Sequence, residues 1–284
     1  MPEWSWTWHP HPDVWLLVAV LLGGYAVALR RLGPSRVPPG EPAATRGQIV
    51  AFTAGVLTIW AASDWPVHDL SEGSMYSVHM FQHLLLSLVA PPLLFVGTPA
   101  WLLRALLGRG MLLRVVRQAT RPFVALVLFN GVLVLTHWPA IVGASVRSEP
   151  AHFALHALVF LSALAMWSPV VNPLIELPHL SPPGQMLYLF LQSIVPTVPA
   201  SFLTFADTPI YDVYAGLPKI WGIDAVTDQR IAGLLMKIAG GFILWGFIAV
   251  RFFQWFAREE REGVDEVEWE GIERTLNRAP LSKP

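Results

Sequence analysis

The sequence predicts an all-α integral membrane protein of seven transmembrane helices. Its amino terminus lies outside the cell, its carboxyl terminus in the cytoplasm, and its centre is built from duplicated helical hairpins. Three observations predict this. Apolar residues fall in runs near twenty residues long, the length that crosses a hydrocarbon core about 30 Å thick at 1.5 Å per residue. Arginines gather in alternate connections. One shift of 73 positions superimposes four rare residues on four others.

The chain is 54% hydrophobic and only 14% charged over 284 residues. A soluble domain of this size would carry more charge. Spans are expected at about 14–29, 47–63, 76–97, 122–142, 151–172, 185–206 and 229–252. Arg30, Arg31, Arg36 and Arg46 lie between the first two spans, and Arg104, Arg109, Arg114, Arg117 and Arg121 between the third and fourth. More follow the seventh, from Arg251 to Arg278, whereas the alternate connections hold only Arg147, Lys219 and Arg230. The arginine-rich side is the cytoplasmic one by the positive-inside bias. Residues 1–257 form the membrane domain and 258–284 a charged cytoplasmic tail, a short amphipathic helix or a disordered end. The first apolar run lacks a basic segment before it, so no cleaved signal is expected. Net charge is −1, which gives no field for nucleic acid, and there is no cysteine, which removes disulfides and thiolate metal sites.

The repeat begins at Trp65–Pro66, fourteen residues before His79, with His83 four residues on; Trp138–Pro139 stands fourteen residues before His152, with His156 four on. The same shift pairs Asp64 with His137. Residues 47–97 and 122–172 thus read as two copies of one hairpin, and 185–252 as a degenerate third, where Asp207-Thr208-Pro209 resembles Asp64-Trp65-Pro66. Copies in one orientation imply a pseudo-twofold axis along the membrane normal, placing the third and fifth spans face to face.

Histidines four apart lie on one helix face, one turn apart, where two imidazoles can share a metal ion. His79 and His152 are expected roughly 5 Å below the outer boundary, and His83 and His156 roughly 10 Å below it. Eight of the nine histidines are expected on the outer side, His179 being the exception. The ordinary alternative is interhelical hydrogen bonding; two duplicated pairs favour a metal site made of His79, His83, His152 and His156. Nitrogen ligands without thiolate suit copper, zinc or iron. Met75, Met80 and Met236 near the imidazoles tilt the choice toward copper, although any one of them also serves as core filling. Bis-histidine haem between the third and fifth spans is the competing cofactor.

Asp64 and His137, at the ends of the second and fourth spans, are either partners that fix histidine tautomers or helix-end caps. Asp228 is expected to cap the seventh span, with a role as anionic partner of the metal as the sharper reading. Lys237 snorkels or pairs with Asp228. Pro91–Pro92, Pro196 and Pro199 should kink their helices.

Several stretches resemble the CtaG-type cytochrome c oxidase assembly factors. One runs from Ser77-Val78-His79-Met80-Phe81-Gln82-His83 through Ala90-Pro91-Pro92 to Gly97-Thr98-Pro99. The others are His152-x-x-x-His156 with Trp167-Ser168-Pro169, and Asp228-Gln229-x-x-Ala232-Gly233-Leu234-Leu235-Met236. The resemblance covers about 64–241 and marks His79, His83, His152, His156 and Asp228 as motif residues. Lys237 departs from it, standing where the family more often has a large apolar residue. The resemblance implies a multi-pass protein of a bacterial-type plasma membrane that matures haem-copper oxidases of the caa type by helping copper reach the enzyme. The expected role is therefore an assembly chaperone that passes copper to a nascent oxidase subunit within the lipid bilayer. No Ser/His/Asp set, phosphate loop or cysteine nucleophile points to an enzyme. A haem-binding electron carrier and a metal or proton transporter are the alternatives; transport would need polar residues toward the cytoplasmic half, where few besides Gln192 and Ser87 occur.

Overall fold

A computed structural model describes residues 4–278, all-helical with no strand among them. The first span is α1 (Pro12–Val27), which continues through a π turn to Ser35; Pro12 sits where a missing N–H costs nothing. The second is α2 (Arg46–Ser63), started by a capping box in which Gln48 N donates to Thr45 Oγ1 and Thr45 N to Gln48 Oε1. The short α3 (Val67–Gly73) turns the chain into α4 (Tyr76–Leu84), a π turn (Leu85–Val89) and α5 (Ala90–Gly97), which together make one span, Tyr76–Gly97. Pro91 and Pro92 lack the N–H a helix needs; the π turn just before them takes up the misfit, so the span bends without breaking.

Next, α6 (Ala100–Leu107) and α7 (Met111–Ala119) lead into α8 (Pro122–Thr136), which is bent by 77° from α7. The fourth span, expected over 122–142, ends early. Trp138 precedes Pro139, whose ring disfavours the helical region for the residue before it, and Trp138 adopts φ −72°, ψ 127°. A separate α9 (Pro139–Val146) follows, then α10 (Glu149–Val171), capped by Ser148. The sixth span, Pro182–Phe205, consists of α11 (Pro182–Ile194) and α12 (Thr197–Phe205), divided by the turn at Val195–Pro196. Pro199 lies in the first turn of α12 and does not interrupt it. After α13 (Asp212–Ala215), the last span is α14 (Ala225–Leu234), a third π turn, and α15 (Gly240–Arg278). No break marks the expected start of the tail at residue 258; positions 279–284 lie outside the described residues.

Six of these spans are long and apolar enough to cross a membrane, seven when the bent pair α7–α8 counts as one. Their packing brings α5 against α2 and α10, α14 against α4 and α12, and α15 against α11. At the α2–α5 contact a Cβ on Gly97 would lie 2.2 Å from the Phe52 backbone nitrogen, so only glycine permits that approach. The two ends of the bundle differ chemically. At one, Arg104 pairs with Glu176, and Arg117 donates to the Glu176 carbonyl. The other carries the histidines.

Candidate metal centre

Helix α4 presents His79 and His83, one turn apart, and α10 presents His152 and His156 in the same way. The third and fifth spans pack together, and the four rings meet: every neighbouring pair of ring centroids lies between 4.2 Å (His152–His156) and 5.7 Å (His79–His152). The four rings divide into two groups of ligating atoms. His79, His83 and His156 each offer a nitrogen within 4.8 Å of the other two. His152 instead directs Nε2 to 2.8 Å from Glu72 Oε1, and with His68 and Glu72 forms a second group of the same compactness.

Hydrogen bonding leaves these rings unfinished. His79 Nδ1, both nitrogens of His152, His156 Nε2 and His137 Nε2 are buried without a hydrogen-bond partner. Each such atom costs free energy in an apolar setting, on the order of 1–3 kcal/mol, so five in one place need an explanation. His137 Nδ1 lies 2.7 Å from the Leu133 carbonyl, which can only accept; the proton is therefore on Nδ1 and the Nε2 lone pair is free. Unpartnered imidazole nitrogens gathered in one region are what a transition-metal ion requires, and the donor set fits copper or zinc. The four rings pack against one another, and beside them lies a cavity of about 70 Å³. That cavity is lined by His83, His137, Met80, Met236, Gln192 and Lys237, among others.

The remaining expected residues take different places. Asp228 does not cap the last span. Asp224 does, accepting from Val226 N and Thr227 N, because the helix begins at Ala225, three residues before Asp228. Asp228 is instead buried in α14, where it caps a neighbour: its carboxylate accepts from Tyr76 N at 2.7 Å, Ser77 N at 3.1 Å and the Ser77 hydroxyl. It thereby holds the N-terminus of the helix that carries His79 and His83. With both oxygens so engaged, Asp228 does not pair with Lys237, whose side chain is exposed and borders the cavity. Asp64 accepts from Trp15 Nε1, Trp60 Nε1 and Trp65 N, tying α1 to the end of α2, and touches none of the imidazoles by hydrogen bond. His137 takes one of the two roles considered for it: it ends α8, while its unpartnered Nε2 bonds no other histidine and so fixes no tautomer. Met80 and Met236 border the cavity beside His83, whereas Met75 packs away from it with Leu70 and Ile220.

Sequence reasoning missed Glu72, Asn130 and the position of His68. His68 and Glu72 repeat the four-residue spacing with one carboxylate, a signal the search for paired histidines passed over. Asn130 donates to Gln192 Oε1 at 2.6 Å and joins α8 to α11. Nearby, burial pulls the Lys219 ammonium below the usual lysine value, and its Nζ donates to the carbonyls of Tyr214 and Ser74.

The profile of one protein family, described as cytochrome c oxidase caa3 assembly factor (Caa3_CtaG), matches residues 23–258, well over half of the chain. The chain belongs to the cytochrome c oxidase caa3 assembly factor family. In this caa3 assembly factor the matched region contains both groups of ligating side chains and Asp228. No curated protein and no solved structure matches the chain significantly.

Proposed function

We propose that this assembly factor holds a copper ion on His79, His83 and His156, with His152 beside them, and releases it to a nascent subunit of the oxidase. The protein acts as a chaperone and not as an enzyme. The histidine end of the bundle faces away from the cytoplasm, as the arginines at the opposite end require under the positive-inside bias. The two hairpins that bring the rings together are copies of one unit, as the shift of 73 residues suggests. One observation carries the reading: ring nitrogens of His79, His83 and His156, from two helices, lie within 4.8 Å of one another, and buried nitrogens of His79 and His156 have no hydrogen-bond partner that would otherwise account for them. Copper suits the site better than a harder ion because the donors are all imidazole and two thioethers, Met80 and Met236, border the same space.

The test is metal analysis of the purified protein beside the H79A/H83A variant, with the oxidase spectrum of membranes from cells carrying each. The variant is expected to lose one equivalent of copper and to leave the caa3-type oxidase without its copper. Unchanged copper content in the variant removes the proposed site.

A further inference from the structure

Outside the deep triad, histidine and carboxylate side chains form a connected series toward the end of the bundle. His9 is largely exposed and contacts Asp69 through Nδ1 at 2.7 Å; His11, partly buried, contacts the other oxygen of Asp69 at 2.9 Å. The His11 ring lies 4.9 Å from that of His68, edge to face, and His68 lies 5.9 Å from His152. His68 Nε2 and His152 Nε2 approach the same oxygen of Glu72, at 3.3 and 2.8 Å. His152 then stacks on His156 at 4.2 Å. His9 is the most exposed of these histidines at 56%, His11 and His68 are partly buried at 19% and 24%, and His152 is buried at 6%.

The contacts with Glu72 are close but not those of a satisfied donor and acceptor. His152 Nε2 has no hydrogen-bond partner despite lying 2.8 Å from the carboxylate, so its N–H or lone pair is not aligned on that oxygen. Three ligating atoms that crowd together without bonding one another are arranged toward a shared point. Two imidazoles and a carboxylate are a common ligand set for divalent zinc and copper, and three protein ligands leave a position through which an ion enters and leaves. The amino-terminal segment packs on the same short helix: Trp4 lies so close to Gly73 that a Cβ there would fall 2.6 Å from the indole.

We propose that His68, Glu72 and His152 form a second metal site, a receiving site for a divalent copper ion, from which the ion passes to the deep triad. The site has no ligand in common with the deep triad, so both can be filled at once. Its existence stands on its own geometry; its role as an entrance rests on the deep triad holding copper. The ion keeps its charge as it moves, exchanging a carboxylate and two imidazoles for three imidazoles, with His152 and His156 in ring contact along the way. His11 and Asp69 guide the ion from solvent.

Copper(II) titration of the full-length protein in nanodiscs, followed by metal analysis and electron paramagnetic resonance, tests the proposal. The parent should bind two equivalents, one with an oxygen-containing ligand set and one with nitrogen ligands only. H68A/E72Q should lose the first and keep the second. E72Q alone, which preserves size and packing, should weaken that equivalent roughly tenfold or more, in the range seen when groups supporting a metal are removed, and should slow filling of the deep triad at limiting copper. H83A/H156A should lose only the nitrogen-ligated equivalent. If H68A/E72Q keeps the parent's stoichiometry and spectrum, the second site does not exist; if E72Q fills the deep triad at the parent's rate, the entrance role fails. Loss of one equivalent in H68A/E72Q together with no loss in H83A/H156A upholds the second site and overturns the deep one.

Discussion

At the scale of single residues, Asp228 shows how a charge buried among apolar helices is used. Helix α4 begins inside the bundle, where its first backbone N–H groups cannot reach water. A carboxylate from α14 supplies the acceptors, and the positive end of the helix dipole favours its charge. Asp228→Ala would leave the N–H groups of Tyr76 and Ser77 unpaired, at a cost of about 2 kcal/mol. The expected outcome is a lower unfolding temperature in detergent and weaker copper binding, with Asp228→Asn intermediate. Parent-like stability in Asp228→Ala would show that the cap contributes nothing. Spacing in the sequence picked out Asp228 but not its partner, because a cap supplied by another helix leaves no local trace. His79, His83, His152 and His156 were legible for the opposite reason: the four-residue spacing fixes their direction without tertiary information.

At the scale of elements, helix ends set by caps and apolar length were readable, and ends set by proline or bundle packing were not. The third span was expected over 76–97 and is Tyr76–Gly97; the fifth was expected over 151–172 and is Glu149–Val171. The fourth failed at Trp138, where hydropathy continues but the backbone before Pro139 does not. Helix α3, which supplies His68 and Glu72, is too short and too polar to appear as a span, so two of the six side chains in the candidate ligand groups were hidden with it. One connection is open to a pH test. The Arg104 guanidinium holds the Glu176 carboxyl down to about 2, against an ordinary value of 4.5. A carboxylate with a depressed value stabilises the folded form above its unfolded value and loses that contribution as pH falls through its folded one. The pair is exposed, so its effect is small. The difference in thermal midpoint between the parent and E176Q should be fully present at neutral pH and shrink between about 4.5 and 2. A gap that persists at the acid end would assign it to packing instead.

At the scale of the molecule, the two chemically distinct ends lead to a test of orientation. The chain contains no cysteine, so single introduced thiols report location cleanly. In intact cells a membrane-impermeant maleimide should label S5C and leave R109C unlabelled until the membrane is opened. The reverse pattern would put the histidines on the cytoplasmic side and defeat the proposed route for copper. The arginine distribution is what predicts this orientation, since it is a property of connections and not of packing. The meeting of the third and fifth spans was expected from the repeat; the division of the imidazoles into two ligand groups was not, because it depends on Glu72 arriving from α3.

The unbroken α15 has a mechanical consequence. Its 39 residues make a rod about 58 Å long at 1.5 Å per residue, against a hydrocarbon thickness near 30 Å. Because α14 and the π turn already occupy part of the same span, more than half of it must project beyond the lipid as a mast, continuous with the part packed against α11. A spin label on that mast would sweep through a wide arc for any small change in helix tilt, so motion inside the bilayer becomes measurable from the aqueous phase without disturbing an imidazole.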